Sequence, residues 1–215
     1  MALLWPNGYL VSAALQGLVD EKSFMLKRRL VVGRFALSGP VQHIPTYHKG
    51  LMKTSRLSVV HHWRNASFTD VGISSVPMYQ WTFLRELGLV GQVNSSIRPQ
   101  MRVTELLQYR YILCIEGADV STAFGWALAS YSVPLHPYPF VYNVWYFNGL
   151  RPWVHFVPLK PDGSDLESAY WYCETHLRRC NEIALAGRQH MVRMLDVEYL
   201  SRIKREVVSL WNLEA

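Results

Sequence analysis

Between Tyr109 and Leu159 the chain alternates short, wholly apolar runs with stretches whose apolar residues recur every three or four positions. Tyr111-Ile112-Leu113-Cys114-Ile115 is apolar without interruption, which predicts a strand buried on both faces in a parallel sheet. Glu116-Gly117 punctuates the run. Asp119 then stands where it would cap a helix through Ser130, with Val120, Phe124, Trp126 and Ala127 facing inward. Residues 132–135 and 154–159 read as two more strands. Ser164-Asp165-Leu166-Glu167 has the form of a capping box, opening a helix whose apolar face is Leu166, Ala169, Tyr170, Cys173 and Leu177. More helix follows, to a stop at Gly187. A last amphipathic helix uses Val197, Leu200, Ile203, Val207 and Leu210. This order implies an α/β fold with a mostly parallel sheet and right-handed crossovers.

Upstream the texture differs. Short apolar runs are separated by Gly39-Pro40, His48-Lys49-Gly50 and Ser95-Ser96-Ile97-Arg98-Pro99. Leu30-Val31-Val32 and Leu57-Ser58-Val59-Val60 have the β-branched look of strands. Residues 78–87 predict a helix ended by Gly88. The expected division is therefore an irregular N-terminal region over 1–102 and a Rossmann-like domain over 103–215.

Composition narrows the class. Of 215 residues, 50% are hydrophobic and 18% charged, which supports a packed core and excludes a disordered chain. Three cysteines without CxxC spacing exclude a disulfide scaffold and predict buried, reduced thiols at Cys114, Cys173 and Cys180. The formal charge of +6 suits anionic partners or a merely solvated basic surface. No zinc-finger, basic-zipper or RNA-recognition signature accompanies it, so no nucleic-acid partner is expected. The apolar start, residues 1–19, is broken by Pro6-Asn7-Gly8 and lacks a cationic beginning, so neither a signal peptide nor a membrane span is expected. The expectation is a cytoplasmic chain, with peripheral membrane association left open.

Chemistry has two places to sit. In open α/β sheets, ligands bind beyond the carboxyl ends of the strands. The turn Glu116-Gly117-Ala118-Asp119-Val120-Ser121-Thr122 follows the best strand and leads into a helix N-terminus. Its N–H groups and the hydroxyls of Ser121 and Thr122 suit a phosphate or a sugar hydroxyl. A plain helix cap fits the same residues equally well. The other place is residues 143–155, where Trp145, Tyr146, Phe147, Asn148, Arg151, Trp153 and His155 crowd together. They suit stacking on a base or sugar, or an aromatic core seam. No GxGxxG, Walker lysine, nucleophile elbow or metal-ligand spacing occurs. His61 and His62, read as neighbours on a strand, point to opposite faces and do not share an ion. The sequons at Asn65 and Asn94 matter only in a secretory chain.

Tyr109-Arg110-Tyr111-Ile112-Leu113-Cys114-Ile115-Glu116-Gly117-Ala118-Asp119-Val120 resembles the "YKYILCIEGNDV" signature of glycosyltransferase family 90. The likeness continues through Trp126-Ala127-Leu128-Ala129-Ser130-Tyr131-Ser132-Val133. It runs on through Gly149-Leu150-Arg151-Pro152-Trp153-Val154-His155-Phe156-Val157-Pro158-Leu159-Lys160, Ser164-Asp165-Leu166-Glu167 and Ile183-Ala184-Leu185-Ala186-Gly187-Arg188. Upstream, Val32-Gly33-Arg34 and Asp70-Val71-Gly72 are shorter matches.

The resemblance implies the donor-side, C-terminal half of a GT-B enzyme, inverting and metal-independent, in a truncated or diverged member. A UDP-sugar would serve as co-substrate with no other cofactor. Glucose, xylose or a related sugar would pass to a hydroxyl on lipopolysaccharide, capsule or protein. It assigns donor binding to Arg34, Glu116, Gly117, Asp119, Ser121 and Thr122 and leaves the catalytic base unassigned. The chain departs from the family pattern at Ala118, at Asn143 and Asn148, and at Ala123 and Gly125, where the family carries cations. A non-catalytic module that keeps the fold and the donor site is the alternative reading.

Overall fold

The computed structural model describes residues 8–40, 47–48, 51–52 and 54–213. Helix α1 spans Gly8–Leu15, and strand β1 spans Arg28–Ala36. A two-stranded ribbon follows, β2 (Tyr47–His48) and β3 (Leu51–Met52), then α2 (Arg56–Trp63) and β4 (Thr69–Ser75). Three short helices, α3 (Gln80–Glu86), α4 (Val90–Ser96) and α5 (Val103–Leu106), lead to β5 (Tyr109–Leu113). Beyond it come α6 (Thr122–Leu128), β6 (Val133–Pro137), β7 (Val157–Leu159), α7 (Leu166–Thr175), α8 (Leu177–Met194) and α9 (Val197–Leu213).

The main sheet has the order β4-β1-β5-β6-β7. All its pairings are parallel. β5 is its middle strand and is buried along its whole length. Tyr111, Leu113 and Ile115 enter the core on one face, while Ile112 and Cys114 enter the core on the other. Alternation of side chains across a strand sends an unbroken apolar run to both faces at once. The sheet also crosses the expected division at residue 102, because β1 and β4 lie upstream of it and pair in the same sheet as β5, β6 and β7. The upstream segment is thus part of the layer on which the downstream one is built.

Four local readings are corrected. Leu57-Ser58-Val59-Val60 belongs to helix α2 and not to a strand. Ser55 caps that helix by accepting from the Ser58 N–H at 3.2 Å, and Leu57, Val59, Val60 and Trp63 bury its inner face at helical spacing. Asp119 does not cap α6. Ser121 occupies the N-cap position, without a side-chain bond, and the helix ends at Leu128. The capping box at Ser164 and Glu167 does not form. Asp165 stands at the N-cap of α7, and its Oδ1 instead accepts from the Lys160 N–H at 2.9 Å. Gly187 lies inside α8 rather than ending it; a Cβ there would come within 2.8 Å of the His155 carbonyl, so the glycine sets how closely the helix packs.

At the amino edge, buried charges are paired. Lys27 Nζ donates to Asp20 Oδ2 at 2.6 Å, to Ser132 Oγ at 3.0 Å and to the Leu107 carbonyl. Glu174 accepts from Arg29, Arg110 and the Tyr111 hydroxyl. Burial alone would raise the Glu174 pKa; the bonds from Tyr111, Arg29 and Arg110 outweigh it and hold the carboxyl below its ordinary value. These bonds tie α7 to the start of β1 and β5.

Candidate functional site

The carboxyl edge of the sheet is drawn together around one arginine. Arg56 opens α2 and donates from Nε and Nη2 to the Ile115 carbonyl at 3.1 and 2.8 Å. Its Nη1 donates to the Ala36 carbonyl and to Ser38 Oγ, both at 2.8 Å. One planar fork therefore bridges the ends of β1 and β5, a geometry that lysine cannot copy. Burial pulls its pKa down to about 10 against the opposing influence of Asp119 and Glu116. The guanidinium remains charged at neutral pH, facing the edge where α/β ligands bind.

Close approach dictates glycine in the segments that follow both strands. Gly39 has φ 81°, and a Cβ there would lie 2.6 Å from the Gly117 backbone. A Cβ on Gly117 would lie 2.4 Å from Ser38 Oγ and 2.7 Å from the Arg56 guanidinium carbon. Neither position accepts a side chain without moving its neighbours. The Gly117 N–H donates to the Asp119 carbonyl at 3.0 Å, which tightens the turn ahead of α6.

The predicted residues divide accordingly. Glu116, Gly117, Asp119, Ser121 and Thr122 share this one turn. Glu116 is buried and its Oε1 accepts from the Tyr142 N–H at 3.4 Å, while Asp119 is exposed. Ser121 is buried and Thr122 half-buried at the start of α6. Tyr142 also donates its hydroxyl to the Ala118 carbonyl at 2.5 Å, so the segment after β6 lies against the turn. Arg34 is engaged elsewhere. It bonds Asp70 Oδ1 and the Asp70 carbonyl, each at 2.7 Å, and the Pro99 carbonyl at 2.9 Å, on the β4 side of β1. Sequence reasoning missed Arg56, Ser38, Gly39 and Tyr142. The serine cap just before Arg56 was the available signal for α2 and hence for the arginine at its first turn.

The departures also find their places. Gly125 is buried: a Cβ there would meet the Tyr146 hydroxyl at 3.4 Å and Ala14 of α1 at 3.5 Å. The position faces the core rather than the turn, so its lack of a cation removes nothing from the carboxyl edge. Trp145, Tyr146 and Phe147 are buried in the core beneath α6, which makes most of the 143–155 cluster a core seam. His61 and His62 sit on α2, and among the described residues no group of three or more potential metal ligands occurs. The three cysteines are buried and free. No helix among the described residues is long and apolar enough to cross a membrane.

A parallel sheet covered by helices, with a glycine-lined turn at its carboxyl edge, is a Rossmann-like architecture, the one on which GT-B glycosyltransferases are built. Solved structures share it. Anabaena Alr3699/HepE, solved with UDP and glucose, superposes with a TM-score of 0.53 over 94% of this chain and 53% of its own, at 12% identity. Sucrose-phosphate synthase from Thermosynechococcus elongatus gives 0.51 over 92% and 53%, at 9% identity.

The chain belongs to glycosyltransferase family 90, whose model matches residues 56–208. O-glucosyltransferase LpsA of Dichelobacter nodosus is 31% identical over 155 residues, which is 70% of this chain and 45% of the relative. Protein O-glucosyltransferase 2 of Danio rerio is 31% identical over 85 residues, 40% of this chain and 17% of the relative. The chain thus spans less than half the length of these curated relatives.

Proposed function

We propose that this chain binds a UDP-sugar at the 116–122 turn and serves the transfer of glucose, xylose or a related sugar to a hydroxyl on lipopolysaccharide, capsule glycan or protein. The observation that carries the reading is the convergence of Arg56, Gly39 and Gly117 at the carboxyl ends of β1 and β5. There a diphosphate would meet bare backbone, the N–H groups that open α6 and the field of a half-buried guanidinium. Glu116 acts through the turn, by its bond to Tyr142, and not as a direct ligand. Ser121 and Thr122 offer hydroxyls. In this reading the leaving diphosphate is stabilised by donors fixed before reaction, which lowers the barrier without reorganisation. Arg34 has a positioning role through Asp70 and Pro99.

The second reading is a module that keeps the fold and binds the donor without turnover. Calorimetry with UDP and UDP-glucose tests both. Saturable binding without glucose release or transfer supports the module, and transfer supports the enzyme. Ser121→Ala is expected to weaken UDP binding by about 1 kcal/mol, the usual worth of one hydroxyl hydrogen bond. Absence of UDP binding in a folded wild-type protein overturns the donor site.

A further inference from the structure

At the amino edge, opposite the donor turn, a surface aromatic group has no part in this reading. Trp153 lies on the segment leading into β7 with φ 61°, a left-handed conformation that bulky side chains rarely adopt. Such strain persists only where the surroundings over-determine it. Here the Trp153 N–H donates to the Phe156 carbonyl at 2.8 Å, and the Trp153 carbonyl accepts from Arg179 Nη2 at 2.7 Å. Trp153 is left 39% exposed, its ring 4.9 Å from that of Tyr172 and edge-to-face with it, and Tyr172 stacks on His176 at 4.4 Å. Next to this ladder lies a shallow, open depression of about 370 Å³, lined by His176, Arg178, Arg179 and Glu182 among others, and Arg179 links it to Trp153. Glu182 reaches Arg178 and Arg179 only at 3.4 Å. Strong charge-assisted bonds are nearer about 2.8 Å, so both signs of group retain capacity for a ligand.

We propose that this surface is an accessory glycan site, in which Trp153, set edge-to-face against Tyr172, takes the C–H face of a sugar ring while Arg179 and Glu182 bond its hydroxyls. The negative face of an aromatic ring suits the weakly positive C–H face of a pyranose. Hydroxyls both donate and accept, which matches a guanidinium beside a carboxylate. A nucleic acid would call for cations alone, and Glu182 opposes it. The proposal rests on the family reading only in its choice of sugar, since the site and the donor turn lie at opposite ends of the sheet.

The test titrates the full chain with maltohexaose and xylohexaose by calorimetry and saturation-transfer NMR, with UDP titrated on the same samples. At least one hexasaccharide should bind saturably. Trp153→Gly removes the indole and suits the positive φ; it and Tyr172→Ala should each weaken binding about ten-fold, with melting temperature and UDP affinity retained. Binding by neither hexasaccharide, equal affinity in both folded variants, or binding of a single-stranded oligonucleotide in their stead overturns the proposal. UDP affinity, read separately, shows whether the donor site has failed on its own.

Discussion

Arg56 shows how one side chain shapes a site that it does not dominate by charge alone. Its fork satisfies carbonyls on two strands, so Arg56→Lys keeps the charge and loses the geometry. That variant should cost about 2 kcal/mol of stability, read by denaturant unfolding, because the Ala36 and Ile115 carbonyls lose their donors. It should weaken UDP binding as well. His136 illustrates a different kind of residue. It is fully buried among Phe124, Phe140 and Phe156, its Nδ1 lies 2.6 Å from the Pro137 carbonyl, and its Nε2 has no partner among the described residues. Burial pulls its pKa to about 4, against about 6.5 in the unfolded chain. Between those values the unfolded state binds the extra proton, so stability falls as pH drops from about 6.5 to 4 and is flat below. His136→Phe should flatten that slope by one proton's worth, up to about 3 kcal/mol across the window. Unfolding measured at pH 7, 5.5 and 4 checks it, and parallel curves for the two proteins would refute it.

Elements were legible where periodicity was pure. The run at Tyr111 gave β5 because both of its neighbours in the sheet bury it, and α3 was visible from its glycine stop, Gly88, at φ 67°. The reading of α2 failed because β-branched residues suggested a strand, while a serine cap and burial at i, i+3 and i+4 decided for helix. Leu166, Ala169, Tyr170, Cys173 and Leu177 were read as the apolar face of one helix. The chain instead breaks at His176, between α7 and α8, and Cys173 of α7 and Cys180 of α8 lie in the same core cluster. Within the candidate site, the 116–122 turn was readable because it is local. Arg56 was not, since its role depends on carbonyls 20 and 59 residues away. The helix α6 yields a prediction at this scale. Gly125→Lys would drive an ammonium between Tyr146 and Ala14, under α1, so it should destabilise by about 3 kcal/mol or more and leave UDP affinity no better. A folded variant of wild-type stability would show that the position opens to solvent.

Across the whole molecule, the two edges of the sheet carry different work. Paired buried charges, Lys27 with Asp20 and Glu174 with Arg110, brace the amino edge, while at the carboxyl edge Arg56 bridges the ends of β1 and β5. The parallel strand order also has a consequence for how the chain can be cut. β1 lies between β4 and β5, so a fragment of residues 103–215 would bare the N–H and C=O groups of β5 along the side that β1 covers. Bare, flat, apolar edges recruit other strands. That fragment alone should aggregate, whereas residues 8–102 supplied in the same cell should complement it and restore a soluble pair. Co-purification of the two pieces, with only one tagged, reads the outcome directly. A soluble, cooperatively melting 103–215 fragment would mean that β5 needs no neighbour there. For anyone trimming this chain in search of a smaller sugar-nucleotide binder, the seam to avoid is the one that its sequence most invites.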